Sequence, residues 1–142
     1  IPESLSREIE TFLKRSSSPK LYSKFRSHSP GDFTSIVFKD SQTGWITADD
    51  NVLLATTDGG TSWVNQNIVL ADIGDDLNDI TIVNDFLIIA AGDGGGIVRS
   101  VDGGVFFNAS VSSFTTENFD GIGSSPDGTK VIAVSDLGTI LK

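Results

Sequence analysis

The side chains able to do chemistry in this sequence are carboxylates and hydroxyls set among glycines. The densest group is Asp72, Asp75, Asp76 and Asp79, a run of the hard oxygen ligands that calcium prefers. A calcium loop needs alternating Asp or Asn around a central Gly, and that spacing is missing, so the run reads as a solvated acidic loop and no metal site is assigned. Gly92-Asp93-Gly94-Gly95-Gly96 has the glycine density of a phosphate cradle, yet it lacks the Lys of a P-loop and leads into a strand, so it reads as a turn. Two further stretches share one order of residue types. Thr56, Asp58, Gly60, Ser62 and Trp63 stand at the same offsets as Ser100, Asp102, Gly104 and Phe107, with Phe106 in place of Ser62. Glycine permits positive φ in a tight hairpin, the Asp carboxylate accepts backbone N–H groups within it, and the aromatic packs beneath. That logic makes Asp58 and Asp102 builders of turns, not catalysts.

What is missing narrows the function further. With no Cys and only His28, thiolate sites and clustered-imidazole metal sites are ruled out within this sequence, and no Ser/His/Asp arrangement is assigned. A sialidase would need an arginine cluster and a tyrosine nucleophile, whereas residues 32–142 hold Arg99 alone and the sole tyrosine is Tyr22. Paired-carboxylate glycosidase chemistry finds only Glu117 among many turn-type Asp residues in that region. We assign no catalytic residue and no cofactor. Trp45 and Trp63 could stack on sugars or peptides, but both occupy positions that suit a core.

Net charge is −9, unevenly spread: residues 1–31 hold six basic and three acidic side chains, residues 32–142 four basic and sixteen acidic. Such a body repels phosphate backbones, which argues against nucleic acid and for a protein partner with a basic surface. No run approaches the roughly 18 apolar residues of a membrane-spanning helix. Asn108-Ala109-Ser110 fits an N-glycosylation acceptor.

The elements that must carry these residues repeat. Phe33-Thr34-Ser35-Ile36, Leu77-Asn78-Asp79-Ile80 and Phe119-Asp120-Gly121-Ile122 begin 44 and then 42 residues apart, the length of a propeller blade. Each is followed by a polar turn, a second strand (Trp45–Ala48, Leu87–Ala91, Val131–Val134), a tight turn, and a third strand (Val52–Ala55, Gly96–Arg99, Gly138–Leu141). The fold class is all-β: about three four-stranded propeller blades over residues 32–142, near 33–68, 77–113 and an incomplete 119–142. Residues 1–31 are expected to form a basic N-terminal helix and an extended arm, with Leu5, Ile9, Phe12 and Leu13 at helical spacing. The stretch Lys20–Arg26 is a candidate outer strand for the third blade.

Gly44-Trp45, Val52-Leu53-Leu54, Thr57-Asp58-Gly59-Gly60 and Ser62-Trp63, with Asp136-Leu137-Gly138-Thr139-Ile140-Leu141 in the third repeat, resemble the Asp-box propeller repeat, in particular that of photosystem II stability/assembly factors. The resemblance implies four-stranded blades, with the box joining third strand to fourth. The second box departs at Phe106-Phe107, and the sequence stops at Lys142 where a third would start.

Three blades cannot close a ring, since propellers have four to eight. Either the chain is a piece of a longer one, or copies join head to tail. The expected function is a non-catalytic binding or assembly module in an extracytoplasmic compartment (secreted, periplasmic or thylakoid lumen). Asp72, Asp75, Asp76, Asp79 and Asp93 are the candidate partner-binding residues, on exposed loops. The rival readings are part of a secreted glycoside hydrolase or glycan-binding propeller, and an architectural subunit of a large complex.

Overall fold

The computed structural model describes residues 32–66, 68, 76–111 and 114–142. The helix and arm expected over residues 1–31 lie outside the described residues, as do Asp72 and Asp75 of the acidic run. Three antiparallel sheets follow one another along the chain. The first holds β1 (Phe33–Phe38), β2 (Gly44–Ala48), β3 (Val52–Thr56) and β4 (Val64–Asn65), in that order. The second holds β5 (Leu77–Ile82), β6 (Ile88–Gly92), β7 (Gly96–Ser100) and β8 (Asn108–Val111). The third holds β9 (Phe119–Ser124), β10 (Val131–Ser135) and β11 (Ile140–Leu141). Runs rich in β-branched and aromatic residues, punctuated by Asp, Asn, Ser and Gly, leave each strand only a tight turn to its neighbour, so every sheet is a meander.

The sheets stack face to face, with β5 packed between β1 and β9. Side chains alternate along each strand, so every sheet has a forward face, toward the next sheet, and a backward face. Trp45 and Leu53 on the forward face of the first sheet pack with Leu77, Ile80, Ile88 and Val98 of the second. Ala91 of the second sheet packs with Phe119 and Ala133 of the third. Fully burying a side chain the size of Leu or Ile contributes about 2 kcal/mol, and here that burial comes from contact between sheets, so no sheet is stable alone.

One irregularity recurs at the same place in all three repeats. The register of the first strand slips between Phe33 and Ser35, between Leu77 and Asp79, and opposite Val134 and Ser135, which leaves Thr34, Asn78 and Asp120 as the extra residues of β-bulges. A bulge re-aims a side chain. Thr34 Oγ1 donates to the carbonyl of Leu77 at 2.5 Å, and Asn78 Nδ2 donates to the carbonyl of Phe119 at 2.9 Å. Thr34 and Asn78 thus each tie their sheet to the first residue of the next.

Candidate functional site

The two ends of the stacked sheets differ in chemistry. At one end lie the β1–β2 and β5–β6 loops and the β3–β4 and β7–β8 turns. Asp58 Oδ1 accepts from Thr56 Oγ1 and from Ser62 N, both at 2.8 Å, while Asp58 Oδ2 accepts from Ser62 Oγ at 2.6 Å. Thr56 Oγ1 in turn accepts the N–H of Gly60 at 2.9 Å. The second turn repeats this scheme: Asp102 Oδ1 accepts from Ser100 Oγ at 2.7 Å and from Val105 N and Phe106 N at 3.0 Å, and Ser100 Oγ accepts Gly104 N at 2.8 Å. Gly59 N and Gly103 N each donate at 2.9 Å to the neighbouring loop, through Gln42 O and Phe86 O.

These bonds favour the ionised carboxylates. Hydrogen bonds from Ser62 and then Thr56 hold Asp58 below the ordinary Asp value, and those from Phe106 and then Ser100 do the same for Asp102. Both groups are committed to their turns, which leaves them poor general bases. The aromatics are placed differently in the two turns. Trp63 lies under its own Gly60 and meets Phe38 edge-on, ring centres 6.1 Å apart. Beneath Gly104, however, lies Trp45 of the preceding sheet, with Phe107 packed beside the same core. The expectation that each turn covers its own aromatic is corrected for the second: the atoms nearest Gly104 belong to buried Trp45, not to Phe107. Its indole N–H has no hydrogen-bond partner, a cost set against the packing.

The opposite end carries the β2–β3, β6–β7 and β10–β11 turns and the residues that enter β1, β5 and β9. Asp32, Asp49, Asp50, Asp76, Asp93, Glu117 and Asp136 gather there. Several are tied together: Asp49 Oδ2 accepts Asp32 N at 3.1 Å, Asp76 Oδ1 accepts Asp50 N at 3.0 Å, and Asp93 Oδ1 accepts Asn78 Nδ2 at 2.9 Å. Glu117, bonded by the Ser135 hydroxyl and the Thr139 side chain, is held below the ordinary Glu value. None of the described basic residues, Lys39, Arg99, Lys130 and Lys142, belongs to this end. Among the described residues no group of three or more ligating side chains is placed to hold a metal ion, and no helix is long and apolar enough to cross a membrane.

Asp76 and Asp93 therefore sit at this acidic end, half-buried. Asp79 does not, and its expected place on an exposed loop is corrected. It lies in β5, where Oδ1 accepts Ser35 Oγ at 2.7 Å and Oδ2 accepts Ile122 N at 2.8 Å, so one carboxylate bridges all three sheets. The turn at Gly92–Gly96 is not exposed either. Gly92, Gly95 and Gly96 are buried, and a Cβ on Gly92 would stand 2.0 Å from the carbonyl oxygen of Asp76. Asp32, Asp49, Asp50, Glu117 and Asp136 were not assigned to a partner-binding surface from the sequence. The signal that could have found them is positional, because each precedes a first strand or joins second to third.

No family model matches the chain, and no curated protein matches it. Among solved structures it is similar to one described as "YCF48 bound to D1 peptide", with a TM-score of 0.65 and 18% identity over 78% of this chain. The fold is that of β-propeller blades. The likeness spans 36% of that chain's length. The sheets are accordingly called blades below, with β1, β5 and β9 as their inner strands.

Proposed function

We propose that this chain is a protein-recognition module built of Asp-box propeller repeats, acting in the assembly or stability of a larger complex and not in catalysis. The observation that carries this reading is the acidic end of the blades, where turns and inter-blade entries from all three repeats place carboxylates with no described cation among them. Loops from several blades converging on one surface make a recognition face, and an acidic one favours basic partner surfaces by steering as well as by contact. Of the other candidate carboxylates, Asp58 has both oxygens and Asp102 has Oδ1 bonded within their own turns, which supports a binding role over a chemical one. A structural neighbour captured with a peptide is in keeping with recognition of a polypeptide.

Zero-length coupling of carboxylates to lysines, followed by peptide mapping, tests the reading. Cross-links to a partner should map to Asp32, Asp50 and Asp136, weaken with added salt, and vanish in the Asp32→Asn, Asp50→Asn, Asp136→Asn variant. Cross-links that map elsewhere, or selective retention of oligosaccharides on a glycan array instead, would overturn it.

A further inference from the structure

At the end of the blades away from the acidic turns, where the chain leaves the inner strands β1, β5 and β9, all three blades border one cleft of about 510 Å³. That volume lies in the range of pockets that enclose small ligands or peptide side chains, roughly 300–1,000 Å³. Val37 and Phe38 of the first blade, Ile82 and Val83 of the second and Pro126 of the third are its apolar lining. Lys39, Asn84, Asp85 and Asp127 supply its polar groups.

The hydrogen bonds already made leave a definite set of free atoms. Lys39 Nζ donates to the carbonyl of Asp85 at 3.1 Å and lies 3.4 Å from Asp85 Oδ1, so the cleft's cation is held by one of its two carboxylates. Asp85 keeps Oδ2, on a side chain that is 80% exposed. Asp127 Oδ1 takes Ser125 Oγ at 2.5 Å, Thr129 Oγ1 at 2.8 Å and Thr129 N at 3.1 Å, which leaves Oδ2. Asn84 Oδ1 accepts Phe86 N and Leu87 N, which leaves the amide NH₂ as a donor. Lys130, the next cation along the chain, is not among the lining residues. The cleft therefore offers one apolar wall, one amide donor and two carboxylate oxygens on separate blades, with an excess of negative charge.

We propose that this cleft binds an extended peptide in which an apolar side chain is followed directly by Lys or Arg. The apolar side chain rests on Phe38, Ile82 and Pro126. The cation meets Asp85 and Asp127, and a peptide carbonyl accepts from Asn84. Hydrogen bonds from Ser125 and Thr129 hold Asp127 ionised below the ordinary Asp range, so its charge is present at neutral pH. The proposal rests on the reading of the chain as a protein-recognition module and adds a second, separate recognition surface to it.

The test uses the full chain and two labelled probes, Gly-Gly-Phe-Arg-Gly-Gly and Gly-Gly-Phe-Glu-Gly-Gly, followed by fluorescence anisotropy at low and high salt. The arginine probe should bind at least roughly tenfold more tightly than the glutamate probe and lose affinity with salt. Asp85→Asn combined with Asp127→Asn should weaken it by roughly tenfold or more. Because Asp127 also shapes a turn, Asp85→Lys alone, at an exposed site, must give the same loss in a chain whose circular dichroism is unchanged. Equal binding of both probes, failure of the arginine probe to bind, or binding untouched by Asp85→Lys would overturn the cleft. If the Asp32→Asn, Asp50→Asn, Asp136→Asn variant abolishes arginine-probe binding while Asp85→Lys does not, the cleft falls and recognition at the acidic end stands.

Discussion

The carboxylates of this chain divide by what their oxygens already hold, and stability should follow that division. Asp79 accepts from Ser35 of the first blade and from the backbone of Ile122 in the third, so Asp79→Leu removes acceptors from two partners at once. Buried hydrogen bonds to a charged group contribute about 1.5–3 kcal/mol each, and with two removed we expect a loss of about 3 kcal/mol or more in urea unfolding. Thr34→Val removes the donor to the Leu77 carbonyl together with the contact to the buried Thr47 hydroxyl, and should cost about 1–2 kcal/mol. Asp58 and Asp102 have folded values below the ordinary 3.8, so their contribution to stability is full above that value and disappears as pH falls through the folded values. Asp102→Asn should therefore be less stable than the native chain at pH 7. The two acid-unfolding curves should converge below pH 3.8; curves that stay parallel would show that the charge of Asp102 does not matter. The sequence marked Asp58 and Asp102 because their partners lie within a few residues. Asp79 escaped notice because Ser35 and Ile122 stand a whole repeat away on either side.

At the scale of the element, the turns that repeat in sequence are built from one backbone scheme but meet different neighbours. Gly104 has φ +91°, and a Cβ there would stand 2.3 Å from Cζ2 of Trp45, whereas Gly138 has φ +88° with nothing within 4 Å. Both Ala substitutions incur the left-handed backbone penalty of about 1–2 kcal/mol. Gly104→Ala must in addition displace a fully buried indole, so chemical unfolding should show it at least about 2 kcal/mol more costly than Gly138→Ala. Equal losses would mean that the β7–β8 turn can lift off the first blade. The all-β class and the strands were legible because apolar β-branched runs alternate with turn residues at a 42- to 44-residue period. The bulges at Thr34, Asn78 and Asp120 were not, since a bulge is a matter of register between strands and no local pattern marks it. The covering of Gly104 by Trp45 was hidden for a related reason: the sequence places Phe107 at the local position, and only the stacking of blades brings Trp45 beneath the turn.

For the whole molecule, the question is what the stack of blades does at its two open faces. Trp45, Thr47 and Leu53 are buried on the forward face of the first blade, and the register places Ile132, Val134 and Ile140 at the equivalent positions of the third, where all are exposed. On the backward face of the first blade Ile36 and Phe38 are exposed, where the second blade carries buried Ile80 and half-buried Ile82. Contiguous apolar surface of this kind drives association. Light scattering on the 142-residue chain should accordingly give a mass that rises with concentration above 15.0 kDa, and Ile132→Asp should return it to that value with no loss of strand signal. Polar detail at the forward face argues that such self-contact is imperfect. The bulged residue there is Asp120, an acceptor when ionised, whereas Thr34 and Asn78 both donate to the first carbonyl of the blade that follows. Pairing the third blade of one copy with the first blade of another would set the Asp120 carboxylate against the carbonyl of Phe33, two acceptors with no proton between them. Asp120→Asn restores the donor present at both internal junctions and should tighten association by roughly a factor of ten, about 1.4 kcal/mol. A variant that associates no better than the native chain would mean that contact between copies does not reproduce the junction between blades.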